Sequence, residues 1–270
     1  MSMPDWAPKG VELERANAAR MYDYFLGGYH NFEVDRKVAD QAAAVWPDMP
    51  LVMRANRAFL HRAVRFLSAQ GIDQFLDIGS GIPTIGNVHE VAHEANPAAR
   101  VVYVDEDPVA VAHSRAILRG NAGATIIQAD ARQPERILNH PEASRRLDLG
   151  EPLGVLVVAL LHFIAEDEDA YRLVRVLRDA VASGSYLVIA HASGENLSRD
   201  MLDQLDRIYR NTPTPVKLRS RAAIERFFDG LEPVEPGLVY IPLWRPDAPD
   251  DLFVDEPERC PGYAGVARKP

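Results

Sequence analysis

Short apolar runs and helix-period patterns alternate along the chain from Gln74 onward. "QFLDIG" reads as a first strand, and "TIGNVHEVAHEA" follows with apolar residues at Ile85, Val88 and Val91 or Ala92. That helix is expected to stop at Asn96-Pro97, because proline disfavours helix in the residue before it. "RVVYVD" is a second strand. Asp107 followed by Pro108 is an N-cap with proline at the first helical position, opening "PVAVAHSRAILRG", which Gly120 closes. "ATIIQAD" is a third strand. "GVLVVALL" is a fourth, apolar throughout as a central parallel strand must be when both faces are covered. A helix over Asp167 to Ala182 and a fifth strand, "SYLVIAHA", complete the alternation. Strands separated by helices at this spacing predict a doubly wound parallel α/β sheet.

The flanks read differently. Residues 12–72 are helical in pattern, with Val52, Ala55, Phe59, Ala63 and Phe66 on one face. The tail predicts two short final strands split by a Pro- and Asp-rich loop over Pro246 to Pro261. Pro213 and Pro215 mark a surface turn after a helix ending near Arg210. The expected division is a helical extension over residues 1–72 and a ligand-binding domain over 73–270.

Composition narrows the partners. Lys plus Arg is 30 against 39 for Asp plus Glu, a net charge of -9 over 270 residues. That balance speaks against non-specific binding to nucleic acid or an anionic membrane. The single cysteine, Cys260, allows neither a disulfide framework nor a cysteine-based zinc site, and no metal is expected. The longest apolar run, Val155 to Leu161, is too short to span a bilayer, and the first residues lack the apolar segment of a signal peptide. A cytoplasmic protein is the expectation.

The chemistry concentrates after the first strand. In "FLDIGSGIPT" two glycines, Gly79 and Gly81, lie beyond the carboxyl end of that strand, where open α/β sheets bind ligands. A dinucleotide turn would carry a third glycine, but Pro83 and Thr84 stand there and Gly86 comes too late. Asp77, Asp105 and Asp130 each end one of the first three strands, so all three carboxylates fall along one edge. Asp105 is placed for both ribose hydroxyls, Asp130 and the Ala131 N–H for an adenine edge, and Asp77 for a cationic amino-acid tail. A ligand with ribose, adenine and a cationic tail but no phosphates is S-adenosylmethionine.

"FLDIGSGIPT", "VVYVDEDPVAVAHSR" and "ATIIQADAR" resemble the first three motifs of class I S-adenosylmethionine-dependent methyltransferases. "ARMYDYFLGGYHNFEVDR" (Ala19 to Arg36), "LLHFI" and "FFDGLEPVEPGLV" resemble, more narrowly, an actinobacterial methyltransferase family long known only as a domain of unknown function. The resemblance covers nearly the whole chain. It implies a doubly wound Rossmann-like class I sheet of seven strands, the last antiparallel, with an N-terminal helical extension. It implies no particular substrate. Pro83 departs from the broad class I pattern, and at a helix start its missing N–H would cost little.

The expected cofactor-binding set is Tyr22, Asn31, Asp77, Gly79, Ser80, Gly81, Asp105, Glu106, Asp130, Ala131, Ala159 and Leu160. If the methyl acceptor is a hydroxyl or ammonium, a base must take its proton. His162, just past the fourth strand, is the first candidate, His191 the second and His30 the third. Ala19 to Arg36 is expected to form a lid hinged at Gly27-Gly28, with Asn31 or Arg36 meeting the carboxylate of the cofactor tail. The acceptor is expected to be a small molecule. The competing readings are a nicotinamide-dependent oxidoreductase and a non-catalytic S-adenosylmethionine-binding regulator.

Overall fold

Three helices precede the sheet in a computed structural model that describes residues 14–83, 86–210 and 212–270: α1 (Ala18–Phe25), α2 (Glu33–Val45) and α3 (Met49–Ala69). What the sequence suggests for residues 12–13, Thr84 and Ile85 lies outside the described residues. The apolar runs form β1 (Gln74–Ile78), β2 (Arg100–Asp105), β3 (Ala124–Gln128), β4 (Gly154–Val158) and β5 (Tyr186–Ala192). They pair in parallel in the order β3-β2-β1-β4-β5. Successive strand residues enter opposite cores: Phe75, Val101 and Leu156 face one, Leu76, Val102 and Val155 the other. Two covered faces explain why these strands are apolar throughout.

The first face is covered by α3, α4 (Val88–Ala95) and α5 (Pro108–Ile117). Phe59, Ala63 and Leu67 of α3 are fully buried there, while Phe66 is half-buried. The second face carries α6 (Pro134–Leu138), α7 (Pro141–Arg146) and α8 (Asp167–Ala180). Helix α9 (Arg199–Tyr209) leaves that face and joins α1 and α2 in a small apolar cluster around Met21, Phe25, Ala42 and Leu205. Ile224 of α10 (Arg221–Glu225) returns to the second core.

The tail corrects the expected strand number. Beyond β5 come β6 (Glu232–Pro233), β7 (Val239–Tyr240) and β8 (Gly262–Arg268), so the sheet has eight strands among the described residues where seven were expected. The long last strand, β8, is antiparallel to β5, as the resemblance implied, and β6 and β7 both pair with its outer edge. Pro236 has no N–H to donate and Gly237 turns with φ +82°, so that edge breaks into two pieces. A second correction concerns Pro83. Helix α4 begins only at Val88, capped by Asn87, whose N–H bonds Glu90 at 2.7 Å. Pro83 therefore lies inside the turn, not at a helix start.

A buried cation ties the extension to the sheet. Arg20 on α1 reaches Asp35 of α2 at 3.6 Å and Asp107, the N-cap of α5, at 3.5 Å, and all three side chains are buried. Asp35 also accepts the N–H groups of Asn17 (2.9 Å) and Phe32 (2.8 Å), and Asp107 those of Val109 and Ala110. Removing the cation leaves two buried carboxylates facing each other. Arg20→Met should destabilise the protein by roughly 3–5 kcal/mol, the usual cost of breaking a buried pair from one side. Chemical denaturation measures it, and a loss below 1 kcal/mol would mean that the clamp contributes little.

Candidate active site

Strand order reverses between β1 and β4, and the crevice opens there. On one side the chain leaves β1 through Gly79 and Gly81, at φ +74° and +68°. A Cβ on Gly79 would stand 2.7 Å from Leu160 Cδ1, so only glycine permits the two lips to approach so closely. On the other side Ala159, just past β4, is held at φ +56° while its N–H bonds Ala190 O. A non-glycine residue held there costs of order 1–3 kcal/mol, and such strain clusters at ligand sites.

A cavity of about 390 Å³ fills the crevice, within the range of about 300–1,000 Å³ usual for ligand sites. Of the expected set, Tyr22, Asp77, Gly79, Ser80, Gly81, Asp105, Glu106, Asp130, Ala131, Ala159 and Leu160 all line it, as does His162. Asn31 does not. It is buried in the extension, where its amide nitrogen donates to Asp23 (2.8 Å) and Gly28 O (3.0 Å) and its oxygen accepts from Arg36 (3.0 Å). Neither Asn31 nor Arg36 is in the cavity wall. The Gly27-Gly28 pair is a closed turn, with Gly28 packed so tightly on Asp23 that a Cβ would overlap its carboxylate. Of the Ala19–Arg36 segment, only α1 roofs the cavity, through Ala19, Met21, Tyr22 and Phe25.

Helix α3 supplies residues that sequence reasoning missed. Met53, Asn56, Arg57 and Leu60 fall at i, i+3, i+4 and i+7 and all line the cavity. The visible signal was two polar side chains inside an otherwise apolar stripe. Tyr22 donates its hydroxyl to Met53 O (3.1 Å) and accepts from Asn56 Nδ2 (3.0 Å), and the Arg57 guanidinium lies 5.8 Å from the Tyr22 ring centre. Arg132 was also missed. It forks onto Asp130 at 2.7–3.0 Å and approaches Glu106 at 3.9 Å.

The carboxylates differ in state. Asp77 is fully buried, and desolvation pushes its pKa up to about 7, with Arg57 opposing and Asp105 adding to the rise. Asp105 is raised by burial to about 6, moderated by the N–H groups of Asp107 (2.9 Å) and Gly81 (2.7 Å). Asp130 is lowered overall: its fork with Arg132 outweighs partial burial, the largest single influence and a raising one. Two buried acceptor atoms in the wall, Ser80 Oγ and Asn56 Oδ1, have no hydrogen-bond partner among the described residues.

The turn's amides identify what it does not bind. Gly79 and Ser80 donate to Val104 O at 2.8 and 3.1 Å, and Gly81 donates to Asp105. These three N–H groups are therefore already engaged within the protein and are not free to cradle a pyrophosphate. A family model for S-adenosyl methyltransferases matches residues 4–270. The chain belongs to that family. The nicotinamide reading is overturned.

Solved relatives of this methyltransferase agree. A DUF574 family protein from Streptomyces avermitilis MA-4680 is 40% identical, with 96% of this chain and 99% of that chain covered, at a TM-score of 0.90. A candidate methyltransferase from Thermobifida fusca YX is 42% identical, with 98% and 99% covered, at 0.91. An O-methyltransferase family protein from Burkholderia thailandensis shares the fold at 12% identity and a TM-score of 0.51, with 94% of this chain and 64% of that chain covered. Among curated proteins none matches. No helix among the described residues is long and apolar enough to cross a membrane.

The methyltransferase's cofactor is S-adenosylmethionine, and the wall fits it, with buried carboxylates and unpaired acceptors for hydroxyl and ammonium donors. A cationic tail near Asp77 would favour its ionised form, so binding below about pH 7 should release a proton. S-adenosylhomocysteine affinity should rise with pH up to about 7 and then level, and Asp77→Asn should flatten the profile. The same shift has a cost in the free enzyme. The folded state holds this proton up to about pH 7 and the unfolded chain does not, so stability falls as pH rises from about 4 to 7. Calorimetry in two buffers of different ionisation enthalpy measures the proton release, and none at pH 6 would contradict the assignment.

Proposed function

We propose that this methyltransferase moves the methyl group of S-adenosylmethionine to an oxygen or nitrogen of a small molecule bound in the same cavity. The observation that carries the reading is that one cavity joins the carboxylate edge to an apolar wall from Phe25, Met53, Phe163 and Ile164, beneath α1. A roof clamped by buried Arg20 leaves room for a small acceptor more readily than for a macromolecule.

Asp105 would hold the ribose hydroxyls, and Asp130 with the Ala131 N–H the adenine edge, using carboxylate lone pairs outside the Arg132 fork. Asp77 and Asn56 Oδ1 would accept from the ammonium. Arg57, facing Asp77 across the wall, would take the carboxylate that the extension's Asn31 and Arg36 do not reach. When bound, the cofactor supplies an electrophilic methyl group on a positively charged sulfur. The chain's part is to hold the acceptor in line and keep water out, a positioning effect worth roughly 7–11 kcal/mol. Apolar walls favour a step in which positive charge is lost.

Arg57→Met should weaken S-adenosylhomocysteine at least tenfold while sparing adenosine, which lacks the amino-acid tail. Equal losses would assign Arg57 to packing. The acceptor class is tested by giving the enzyme S-adenosylmethionine labelled in the methyl group and a fractionated cell extract. Label should enter the low-molecular-weight fraction. Label confined to protein or nucleic acid would overturn the small-molecule reading.

A further inference from the structure

Beyond the cofactor edge, the cavity wall contains His162, and its protonation is set by a chain of hydrogen bonds that begins outside the site. Arg219, almost fully buried, donates to Leu161 O (2.8 Å), Ile164 O (2.9 Å) and Asp167 Oδ1 (3.0 Å). Its Nη1 also lies 3.0 Å from His191 Nε2. A guanidinium has no acceptor, so His191 Nε2 must carry the lone pair and Nδ1 the proton. That proton is donated to Ala192 O at 2.7 Å. The Ala192 N–H in turn points at His162 Nδ1, at 3.4 Å, so His162 carries its proton on Nε2. His191 is thereby closed off as a base. His30 is excluded by position, since its ring packs at a tilt on His113, centroids 3.7 Å apart, outside the cavity wall.

His162, part of the cavity wall, then has an Nε2–H to donate and is a poor proton acceptor. Burial, with His191 and Arg219 nearby, pushes its pKa well below the ordinary histidine range. Its Nε2 has no partner among the described residues. Tyr209, also in the wall, is held protonated by burial, and its hydroxyl has only a weak contact with Met49 Sδ at 3.9 Å. Glu166 and Asp169 line the cavity too, but both are exposed, where water screens their charge.

An alcohol or ammonium acceptor needs a base to take its proton, and a neutral amine has one lone pair, which a hydrogen bond from His162 Nε2–H would occupy and withhold from the methyl group. We propose that the acceptor is an apolar molecule whose nucleophile is an oxygen already ionised before it binds, a phenolate, enolate or carboxylate held by His162 Nε2–H. This rests on the methyltransferase reading of the cavity and narrows its acceptor to oxygen. The acceptor oxygen forms the bond to the methyl carbon, the carbon–sulfur bond breaks, and sulfur keeps the electron pair. The acceptor's proton has already gone to solvent, so no residue has to take it. One hydrogen bond orients the oxygen and leaves other lone pairs for attack.

The test uses the enzyme saturated with sinefungin, whose amine carries positive charge in place of the methyl sulfonium. Calorimetry compares 4-nitrophenolate, benzoate, nitrobenzene and aniline as probes at pH 8. An anionic probe should bind at least tenfold more tightly than nitrobenzene and aniline, and which anion wins separates a hydroxyl-derived from a carboxyl acceptor. His162→Phe should erase that preference, and His162→Gln, which keeps an N–H donor, should restore it to within about threefold. No anion preference, or one that survives in His162→Phe, overturns the proposal. Failure of sinefungin itself to bind would instead bring down the underlying methyltransferase reading of the cavity.

Discussion

The carboxylate of Asp105 holds the site together. One oxygen accepts from Gly81 in the first turn and the other from Asp107 at the start of α5, so a single buried group fixes β1's turn onto the end of β2. The N–H groups of Gly79, Ser80 and Gly81 are engaged by Val104 and Asp105, and the Asp105 carboxylate makes this part of the turn unfavourable for an anion. Gly79 and Gly81 are needed for left-handed backbone and for the close approach of Leu160, not for phosphate.

The cavity depends equally on a roof that belongs to the extension. Helix α1 is too short to be stable alone. It is ordered by Asn17 at its N-cap, by apolar packing on α2 and α9, and by Arg20 between two buried carboxylates. Asp107 serves twice, capping α5 and receiving Arg20, so the roof is registered against the helix that follows β2. That coupling makes the extension part of the site's architecture.

The sheet was legible in the sequence because its strands are covered on both faces and its helices carry local caps, as at Asp107-Pro108. The carboxylate edge was legible because strand ends in a parallel sheet converge on one side. What was hidden depends on side-chain partners chosen in three dimensions. Asn31 looked like a cofactor ligand until Asp23, a buried carboxylate in need of donors, was seen to hold it. Arg57 and Asn56 were disguised within an apolar stripe. His162 drew attention by its place after β4, but its proton is positioned by Arg219, 57 residues further along the chain, through a relay that no spacing reveals. The extra strand came from a two-residue edge pairing below the length that patterning can detect.

A structure of the protein with S-adenosylhomocysteine tests the account most directly. The ribose hydroxyls should lie on Asp105, the adenine amine on Asp130, and the ammonium between Asp77 and Asn56, with the sulfur facing the wall that contains His162. A ligand bound with its ribose away from Asp105, or with its amino-acid tail at Asn31 and Arg36, would contradict it.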